Sequence, residues 1–426
     1  MSHREPLLFL SQRLPYPPNK GDKLRSFAVL RHLAERWDIH LGCFIDDPED
    51  WRHLQTVKSW CADLRCVGLD KRWATWRGLR GLATGTSLSE PYFHDASLDR
   101  WVDTVLREVQ PKVAFLYSSV MGQYVSKRPS LRVVMDFVDV DSDKWRQYGQ
   151  AQAWPMSWVY ARESRRLLAF DRAVAARADA AVFVSPAEAD LFRRMAPEVT
   201  HKVHAISNGI DLDYFTADPA RPDPFPPGCR PIVFTGAMDY WPNIDAVIWF
   251  ADTMLPAIRA RIPQALFAVV GGNPPSAVIR LAARPGIIVT GRVPDIRPYL
   301  NHAHAVVAPL RVARGIQNKV LEGMAMGKLV ITTGQGLEGI DAVPGRDLMV
   351  AETPQAFIEA TIRALTDGTL APMGAAARRR AVDGYAWADK LAAFGHLLEE
   401  RPLTAPGPSP AIRSGERHGD PTGWPA

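Results

Sequence analysis

The chain has 426 residues, too many for one compact core, so we expect two domains with additional segments. Apolar residues at 47% and charged residues at 23% are typical of a soluble globular protein. The net charge of +5 argues against a dedicated nucleic-acid-binding protein, but it is compatible with a phosphate-bearing substrate or an anionic lipid surface.

Neither a signal peptide nor a membrane-spanning segment is predicted, because no apolar stretch is long enough for either. The four cysteines lie far apart and lack the spacing of a zinc site. They indicate reduced thiols in a cytoplasmic protein.

Strand and helix patterns alternate along the chain. In the first half, apolar runs predict strands at 7–10, 39–44, 113–117, 132–135 and 180–184, with helices near 25–35 and 158–178. Six prolines in 218–231 exclude a regular element and mark a loop near a domain boundary. Strands are then predicted at 232–234, 267–270, 287–290, 305–308 and 329–332. This alternation predicts two parallel sheets covered by helices, with a cleft at the carboxyl ends of their strands.

The most informative segment is 309–333, where a basic loop leads into a short helix that ends near Gly327. Lys319 and Glu322 are three residues apart and so share one face of that helix. The backbone N–H groups at the helix start favour an anion, and Glu322 can accept hydrogen bonds from paired hydroxyls. A phosphate beside a ribose fits this arrangement. The alternative is a surface ion pair worth about 0.2–0.5 kcal/mol.

Two further segments of the first half contain charged residues after a predicted strand. In 15–25, Gly21 allows close approach of a ligand, and Lys20, Lys23 and Arg25 are candidates for contact with phosphate. The alternative is an ordinary strand-to-helix turn. The acidic stretch 136–144 fails as a calcium-binding loop, because Lys144 stands where that loop needs glycine.

Five motifs together resemble glycosyltransferase family 4. The segment above reads as that family's Gly-x-x-x-Lys-x-x-Glu-x-x-Ala-x-Gly, and the other four motifs are 15–25, 207–211, 234–243 and 289–296. In order and spacing they cover most of 7–365. The resemblance is closest to bacterial exopolysaccharide sugar transferases associated with the PEP-CTERM protein-sorting system.

The resemblance implies the GT-B fold, an α/β arrangement of two Rossmann-like doubly wound domains facing across a cleft. Residues 1–205 would bind the acceptor and 206–375 the nucleotide sugar. A C-terminal helix within 376–401 would cross back to the first domain, and 402–426 would form a disordered tail.

The implied reaction is transfer of a sugar, with retained anomeric configuration, from a nucleoside diphosphate sugar to a saccharide or lipid-linked saccharide. No metal or cofactor is expected, since Lys319 and the helix N-terminus would stabilise the departing diphosphate. Asp139, or Asp136, would orient the acceptor hydroxyl or stabilise an oxocarbenium-like centre; the alternative is that these carboxylates cap the next helix. The expected donor-binding residues are Gly21, Gly236, Arg311, Gly315, Asn318, Lys319 and Glu322.

The chain also departs from the family pattern. Arg314 stands where many members have an acidic residue that contacts the donor sugar, and Pro242 and Asn243 stand where a basic residue is expected. We infer that Lys319 and Arg311, with Arg314, supply the charge for the diphosphate, at about 1.5–3 kcal/mol for each charge-assisted hydrogen bond. These departures keep open a catalytically silent, transferase-like scaffold.

Two other patterns admit alternatives. Gly334, Gly336 and Gly339 match the dinucleotide fingerprint of a nicotinamide oxidoreductase, but Pro344 comes too soon for the helix that should follow. We interpret them as a glycine turn lining the donor pocket. In 71–82, tryptophans and leucines alternate with basic residues, which suits a helix at the inner face of the membrane or an ordinary solvated amphipathic helix.

Overall fold

The structure, a computed structural model, describes residues 4–18, 21–125, 131–313 and 315–399. The tail predicted to be disordered, 402–426, lies outside the described residues. Within the described ranges the chain builds two parallel sheets, one after the other.

The first sheet has seven strands in the order β3-β2-β1-β4-β5-β6-β7. Its strands are β1 (Glu5–Ser11), β2 (Trp37–Ile45), β3 (Asp63–Gly68), β4 (Val113–Tyr117), β5 (Arg132–Val138), β6 (Ala180–Phe183) and β7 (Val203–Ala205). The order reverses between β1 and β4, so their carboxyl ends flank a crevice of the kind in which doubly wound sheets bind ligands.

The second sheet has six strands in the order β10-β9-β8-β11-β12-β13. Its strands are β8 (Arg230–Thr235), β9 (Ala265–Val270), β10 (Ile287–Gly291), β11 (Ala305–Ala308), β12 (Leu329–Thr332) and β13 (Met349–Val350). Here the reversal lies between β8 and β11, which places the loops after Thr235 and Ala308 at the equivalent crevice.

Helices cover both faces of each sheet. In the first half they are α1 (Gly21–Ala34), α2 (Leu54–Lys58), α3 (Lys71–Thr84), α4 (Ser89–Tyr92), α5 (Ala96–Glu108), α6 (Asp141–Ala151), α7 (Met156–Arg177) and α8 (Pro186–Met195). In the second half they are α9 (Trp241–Trp249), α10 (Leu255–Arg261), α11 (Ser276–Ile279), α12 (Arg297–Asn301), α13 (Asn318–Ala325), α14 (Gly334–Leu337), α15 (Pro354–Thr366), α16 (Ala371–Tyr385) and α17 (Trp387–Leu398).

The predicted strands all form, and the strands that the sequence did not indicate are short or lie at an edge. β3 alternates exposed and partly buried residues and includes Asp63 and Arg65, so it has no continuous apolar run. β7 has three residues and β13 has two, too few for a periodic pattern. The first long helix also differs from its prediction, because α1 begins at Gly21 rather than near Arg25.

The chain passes between the two sheets twice, at 205–210 and at 385–387. The amide of Ile210 donates to the carbonyl of Tyr385 at 2.7 Å, and a methyl group on Gly209 would lie 2.6 Å from the Trp387 ring. Helix α17 then packs on the first sheet, where Phe394 contacts the ring of Phe115 at 5.4 Å between centroids. The last helix thereby ties the second half of the chain to the first.

A search of the described helices for an apolar stretch of membrane-crossing length found no candidate.

Candidate functional site

The helix that carries Lys319 and Glu322 lies at the carboxyl edge of the second sheet. Val320, Leu321 and Met324 of α13 are buried in the core, which leaves the Lys319 and Glu322 side chains partly buried on the other face. Thr235 Oγ1 donates to Glu322 Oε2 at 3.2 Å, and Lys319 Nζ donates to Gln317 Oε1 at 3.3 Å. Among the described contacts, the two charged groups therefore bond neighbours rather than each other.

Burial changes the protonation of both groups. It lowers the pKa of Lys319 to about 8, with the Glu322 carboxylate opposing the shift. It also raises the pKa of Glu322 above the usual value for a glutamate, and here Lys319 and the Thr235 hydroxyl oppose the shift. A bound phosphate would stabilise the protonated, positively charged form of Lys319. Binding of phosphate at this position is therefore favourable.

Gly236, directly after β8, lies beside Lys319. Its φ of 154° is one that favours glycine, and a methyl group there would lie 3.4 Å from Lys319 Cε and 2.8 Å from Asn243 Nδ2. A methyl group on Gly271, after β9, would lie 1.7 Å from the carbonyl oxygen of Gly236. The ends of β8 and β9 thus meet backbone against backbone, and the predicted glycine, lysine and glutamate are brought together.

Residues of the first sheet approach this site from across the cleft. A methyl group on Gly315 would lie 3.2 Å from Asp139 Oδ1, and one on Gly21 would lie 3.7 Å from Asn318 Nδ2. Gly315 has a φ of 63°, so it is also a position where the backbone favours glycine. Two predicted residues of the first domain therefore face two predicted residues of the second.

Asp139 is held in this position by an unusual backbone. Val138 has a φ of 68°, rare for a β-branched residue, and the β5–β6 register shifts between Asp136 and Val138. Asp139 Oδ2 accepts a hydrogen bond from Lys144 Nζ at 2.8 Å, and Lys144 also donates to Asp141 at 2.9 Å. Burial disfavours the Lys144 ammonium, but the two carboxylates prevail and raise the pKa of Lys144.

The acidic stretch does not cap the helix that follows. The residue before α6 is Val140, and among the described residues no side-chain cap hydrogen bond forms at this helix start. Of the described residues, no group of three or more histidine, cysteine, aspartate or glutamate side chains is placed to hold a metal ion.

Three candidates of the first domain prove to be structural. Arg25 is buried, with Nε donating to Asp136 Oδ2 at 2.7 Å and Nη1 donating to the Ile206 carbonyl at 2.8 Å. Lys23 is buried against Asp50. The predictions that Arg25 and Lys23 contact phosphate and that Asp136 contacts an acceptor were wrong, because their partners, far away in sequence, enclose them. Lys20 lies outside the described residues.

Arg311 forms an ion pair. Its Nε donates to Asp245 Oδ2 of α9 at 2.9 Å, its second nitrogen bonds the other oxygen, and the guanidinium lies over the ring of Trp249. To bind a diphosphate, Arg311 would have to leave Asp245, so its role as a donor ligand stays a prediction. Arg314 lies outside the described residues.

The glycine turn after β12 is not a dinucleotide site of the usual kind. Helix α14 has four residues, and the Gly334 amide donates to Glu352 Oε1 at 2.9 Å, so a carboxylate occupies the position that a phosphate would need. Gly339 lies close to Ile316 and to Ser185 of the first domain. The turn therefore borders the cleft.

Sequence reasoning assigned no part in the site to three residues that shape it: Thr235, Gln317 and Asn243, the last of which it had noted only as a departure from the family pattern. Thr235 and Gln317 hold Glu322 and Lys319, as described above. Asn243 is buried and donates from Nδ2 to the Ala237 carbonyl at 2.8 Å. Within the described part of the chain its Oδ1 has no hydrogen-bond partner. The position of Thr235 immediately before Gly236 was the one available signal.

Part of the second half of the chain matches a family model. Residues 230–367 match the family described as "Glycosyl transferases group 1". The matched range includes Gly236, Lys319 and Glu322. The comparison with curated proteins gave no match.

Solved structures cover nearly the whole chain. Sucrose-phosphate synthase from Thermosynechococcus elongatus is 17% identical with a TM-score of 0.69, and the match covers 93% of this chain and 99% of that one. Anabaena HepE in complex with UDP is 14% identical with a TM-score of 0.65, over 93% and 100% of the two chains. WaaG, a glycosyltransferase involved in lipopolysaccharide biosynthesis, is 16% identical with a TM-score of 0.64, over 92% and 99%. The predicted GT-B fold is confirmed.

Proposed function

We propose that the protein is a retaining glycosyltransferase that moves a sugar from a nucleoside diphosphate sugar to a saccharide or lipid-linked saccharide. The observation that carries the proposal is the arrangement of Lys319 and Glu322 at the ends of β8 and α13, beside Gly236 and Thr235. From the first domain, Asp139 faces Gly315 and Gly21 faces Asn318. HepE, of the same fold, has structures in complex with UDP and with UDP-glucose, which supports a nucleotide-sugar donor.

In the proposed reaction the bond between the anomeric carbon and the diphosphate oxygen breaks, the acceptor hydroxyl oxygen bonds to that carbon, and the hydroxyl proton passes to the departing diphosphate. Lys319 and the first N–H groups of α13 stabilise the negative charge on the leaving diphosphate. Glu322 accepts hydrogen bonds from the ribose, and Asp139 orients the acceptor hydroxyl. These groups need no metal or cofactor. We propose Arg311 as a further diphosphate ligand once the donor displaces Asp245.

We place the reaction in bacterial exopolysaccharide biosynthesis, in the cytoplasm and peripheral to the inner face of the membrane. The resemblance of the five motifs to transferases associated with the PEP-CTERM system supports the first part. The exposed tryptophans of α3 support the location at the membrane.

A thermal-shift panel of nucleoside diphosphates and their sugars tests the donor site. A nucleoside diphosphate should raise Tm, because it binds the folded cleft, and NAD should not. A rise with NAD alone would favour the oxidoreductase. Nucleotide binding without release of diphosphate from any sugar nucleotide, with or without saccharide acceptors, would favour the silent scaffold.

A further inference from the structure

The side chain of Asn243 is an amide in a position that usually holds an apolar group. Asn243 lies in the first turn of α9, on the same buried face as Ala246 and Val247, and is 4% exposed. A buried amide needs hydrogen-bond partners for its oxygen as well as its nitrogen, because burial removes both from water. None of the steps of the proposed reaction uses this amide.

The Ala237 carbonyl fixes which way the amide points. Asn243 Nδ2 donates to that carbonyl oxygen at 2.8 Å. With the amide turned over, Oδ1 would face the same oxygen, and two acceptors repel each other. Oδ1 is therefore the end that is left over, and among the described residues it is buried without a hydrogen-bond partner. A buried acceptor of this kind is costly, so it indicates a role beyond packing.

Lys319 lies beside this amide. A methyl group on Gly236 would lie 3.3 Å from Asn243 Cγ and 3.4 Å from Lys319 Cε, so the two side chains flank the same glycine. Because Gly236 has no side chain, nothing of that residue separates them. Rotations about the last bonds of the lysine side chain bring Nζ within reach of Asn243 Oδ1.

The charged form of Lys319 needs more acceptors than its described neighbours supply. A protonated amine has three N–H groups. Gln317 Oε1 accepts one of them at 3.3 Å, and the Phe234 ring, 5.6 Å from Nζ, adds a cation–π attraction. Glu322 is the charged group that acts on the pKa of Lys319, but its Oε2 accepts from Thr235 instead. A donor without enough acceptors thus lies next to an acceptor without a donor.

We propose that Asn243 is a positioning residue for Lys319: its Oδ1 accepts a hydrogen bond from the charged amine and holds that amine against the diphosphate. A hydrogen bond to a charged donor is stronger than one between neutral groups. The amide is itself neutral, so it stabilises the ammonium without cancelling the positive charge that a diphosphate binds. The contact with diphosphate rests on the proposed function, whereas the bond between Asn243 and Lys319 does not.

The protonation of Lys319 tests this bond without any nucleotide. Acetic anhydride reacts with the neutral amine, so trace acetylation between pH 6 and pH 10, read by peptide mass spectrometry, gives the pKa of Lys319. The unaltered chain should titrate near pH 8. Asn243→Ala should lower that pKa by about one pH unit, because the charged form loses an acceptor. Asn243→Asp keeps an acceptor and adds a negative charge, and should raise it.

A matched control separates the bond from the shape of the loop. The exposed Asn273 also holds the loop after β8, donating from Nδ2 to Asp239 Oδ2 at 3.0 Å. Its φ of 57° is one that glycine adopts easily, so Asn273→Gly removes the bond without straining the backbone. This variant should leave the pKa of Lys319 unchanged. Asn243→Ala and Asn243→Asp both lose the bond to Ala237, so a merely structural role predicts the same direction in both.

A double-mutant cycle on binding of UDP tests the positioning. Asn243→Ala should weaken UDP about tenfold at pH 7, and should have little further effect once Lys319 is alanine, because Asn243 acts through that amine. Equal losses in the two backgrounds would overturn the proposal, as would a pKa of Lys319 that Asn243→Ala does not change. If the pKa shifts in the expected directions but no nucleoside diphosphate binds the unaltered chain, the bond stands and the proposed function falls.

Discussion

At the scale of single residues, the surroundings of Lys319 determine the pKa of its side chain. A lysine on an exposed helix would keep its charge at any physiological pH, but burial lowers the pKa of Lys319 to about 8. Because a diphosphate binds the protonated amine, nucleotide affinity should fall as pH rises through about 8. Calorimetric titration of UDP from pH 7 to pH 9.5 measures this. Lys319→Arg keeps its charge across that range and should abolish the pH dependence; a wild-type affinity that is flat with pH would contradict the placement.

Removal of the charge should weaken binding of the diphosphate. Lys319→Ala is expected to lower the affinity for UDP by about 1.5–3 kcal/mol, the value of a hydrogen bond to a charged group. Titration calorimetry at pH 7 gives the difference, and Lys112→Ala, an exposed lysine of the first domain, is the matched control. Unchanged affinity in Lys319→Ala would show that the diphosphate lies elsewhere.

Glu322 should act on the ribose and not on the phosphates. Glu322→Ala is expected to weaken UDP by about 1–2 kcal/mol, because the ribose hydroxyls lose their acceptor, and to leave pyrophosphate binding unchanged or stronger. Competition of UDP and of pyrophosphate against a fluorescent nucleotide separates the two effects. Equal losses for both ligands would mean that Glu322 serves only to hold Lys319.

At the scale of elements, the site depends on how closely the strand ends meet. Gly271→Ala places a methyl group 1.7 Å from the Gly236 carbonyl oxygen and should destabilise the second domain by about 1–3 kcal/mol or more. Gly384→Ala, in helix α16, should be neutral or stabilising by up to about 1 kcal/mol, because the added methyl group would meet no described atom within 4 Å outside its own stretch of helix. Differential scanning calorimetry compares the two. A similar Tm for both variants would show that the β8 and β9 ends separate easily.

At the scale of the whole molecule, α17 connects the two halves. Phe394 is buried between Phe115 and the guanidinium of Arg25, which in turn bonds Asp136. Phe394→Ala should cost about 3–5 kcal/mol of stability of the first domain, through the lost burial and the cavity left behind. Denaturant unfolding gives the change in the free energy of unfolding, and scanning calorimetry shows which domain is affected. Phe394→Leu should cost clearly less. A loss confined to the second domain would contradict the role of α17 as a connection.

Much of this arrangement follows from the sequence. In each half of the chain, apolar runs alternate with amphipathic helices. This pattern predicts two parallel sheets, because the strands of a parallel sheet are covered on both faces. The helix with Lys319 and Glu322 was located by spacing alone, because both its buried face and its polar face are encoded within eight neighbouring residues. Gly236 was located by resemblance, and its contact with Lys319 appears only when β8 and β11 become neighbours.

Only the tertiary structure decided which basic side chains are free to bind a ligand and which are held in ion pairs. Arg25, Lys23 and Arg311 look alike in the sequence, yet each bonds a carboxylate: Asp136, Asp50 and Asp245. The same holds for tryptophans, since Trp60 is partly buried beside Arg31 whereas Trp154 is exposed. Local sequence determines periodicity, and hence elements. Burial and ion pairing depend on residues that lie tens to hundreds of positions away, and those contacts exist only once the sheets have assembled.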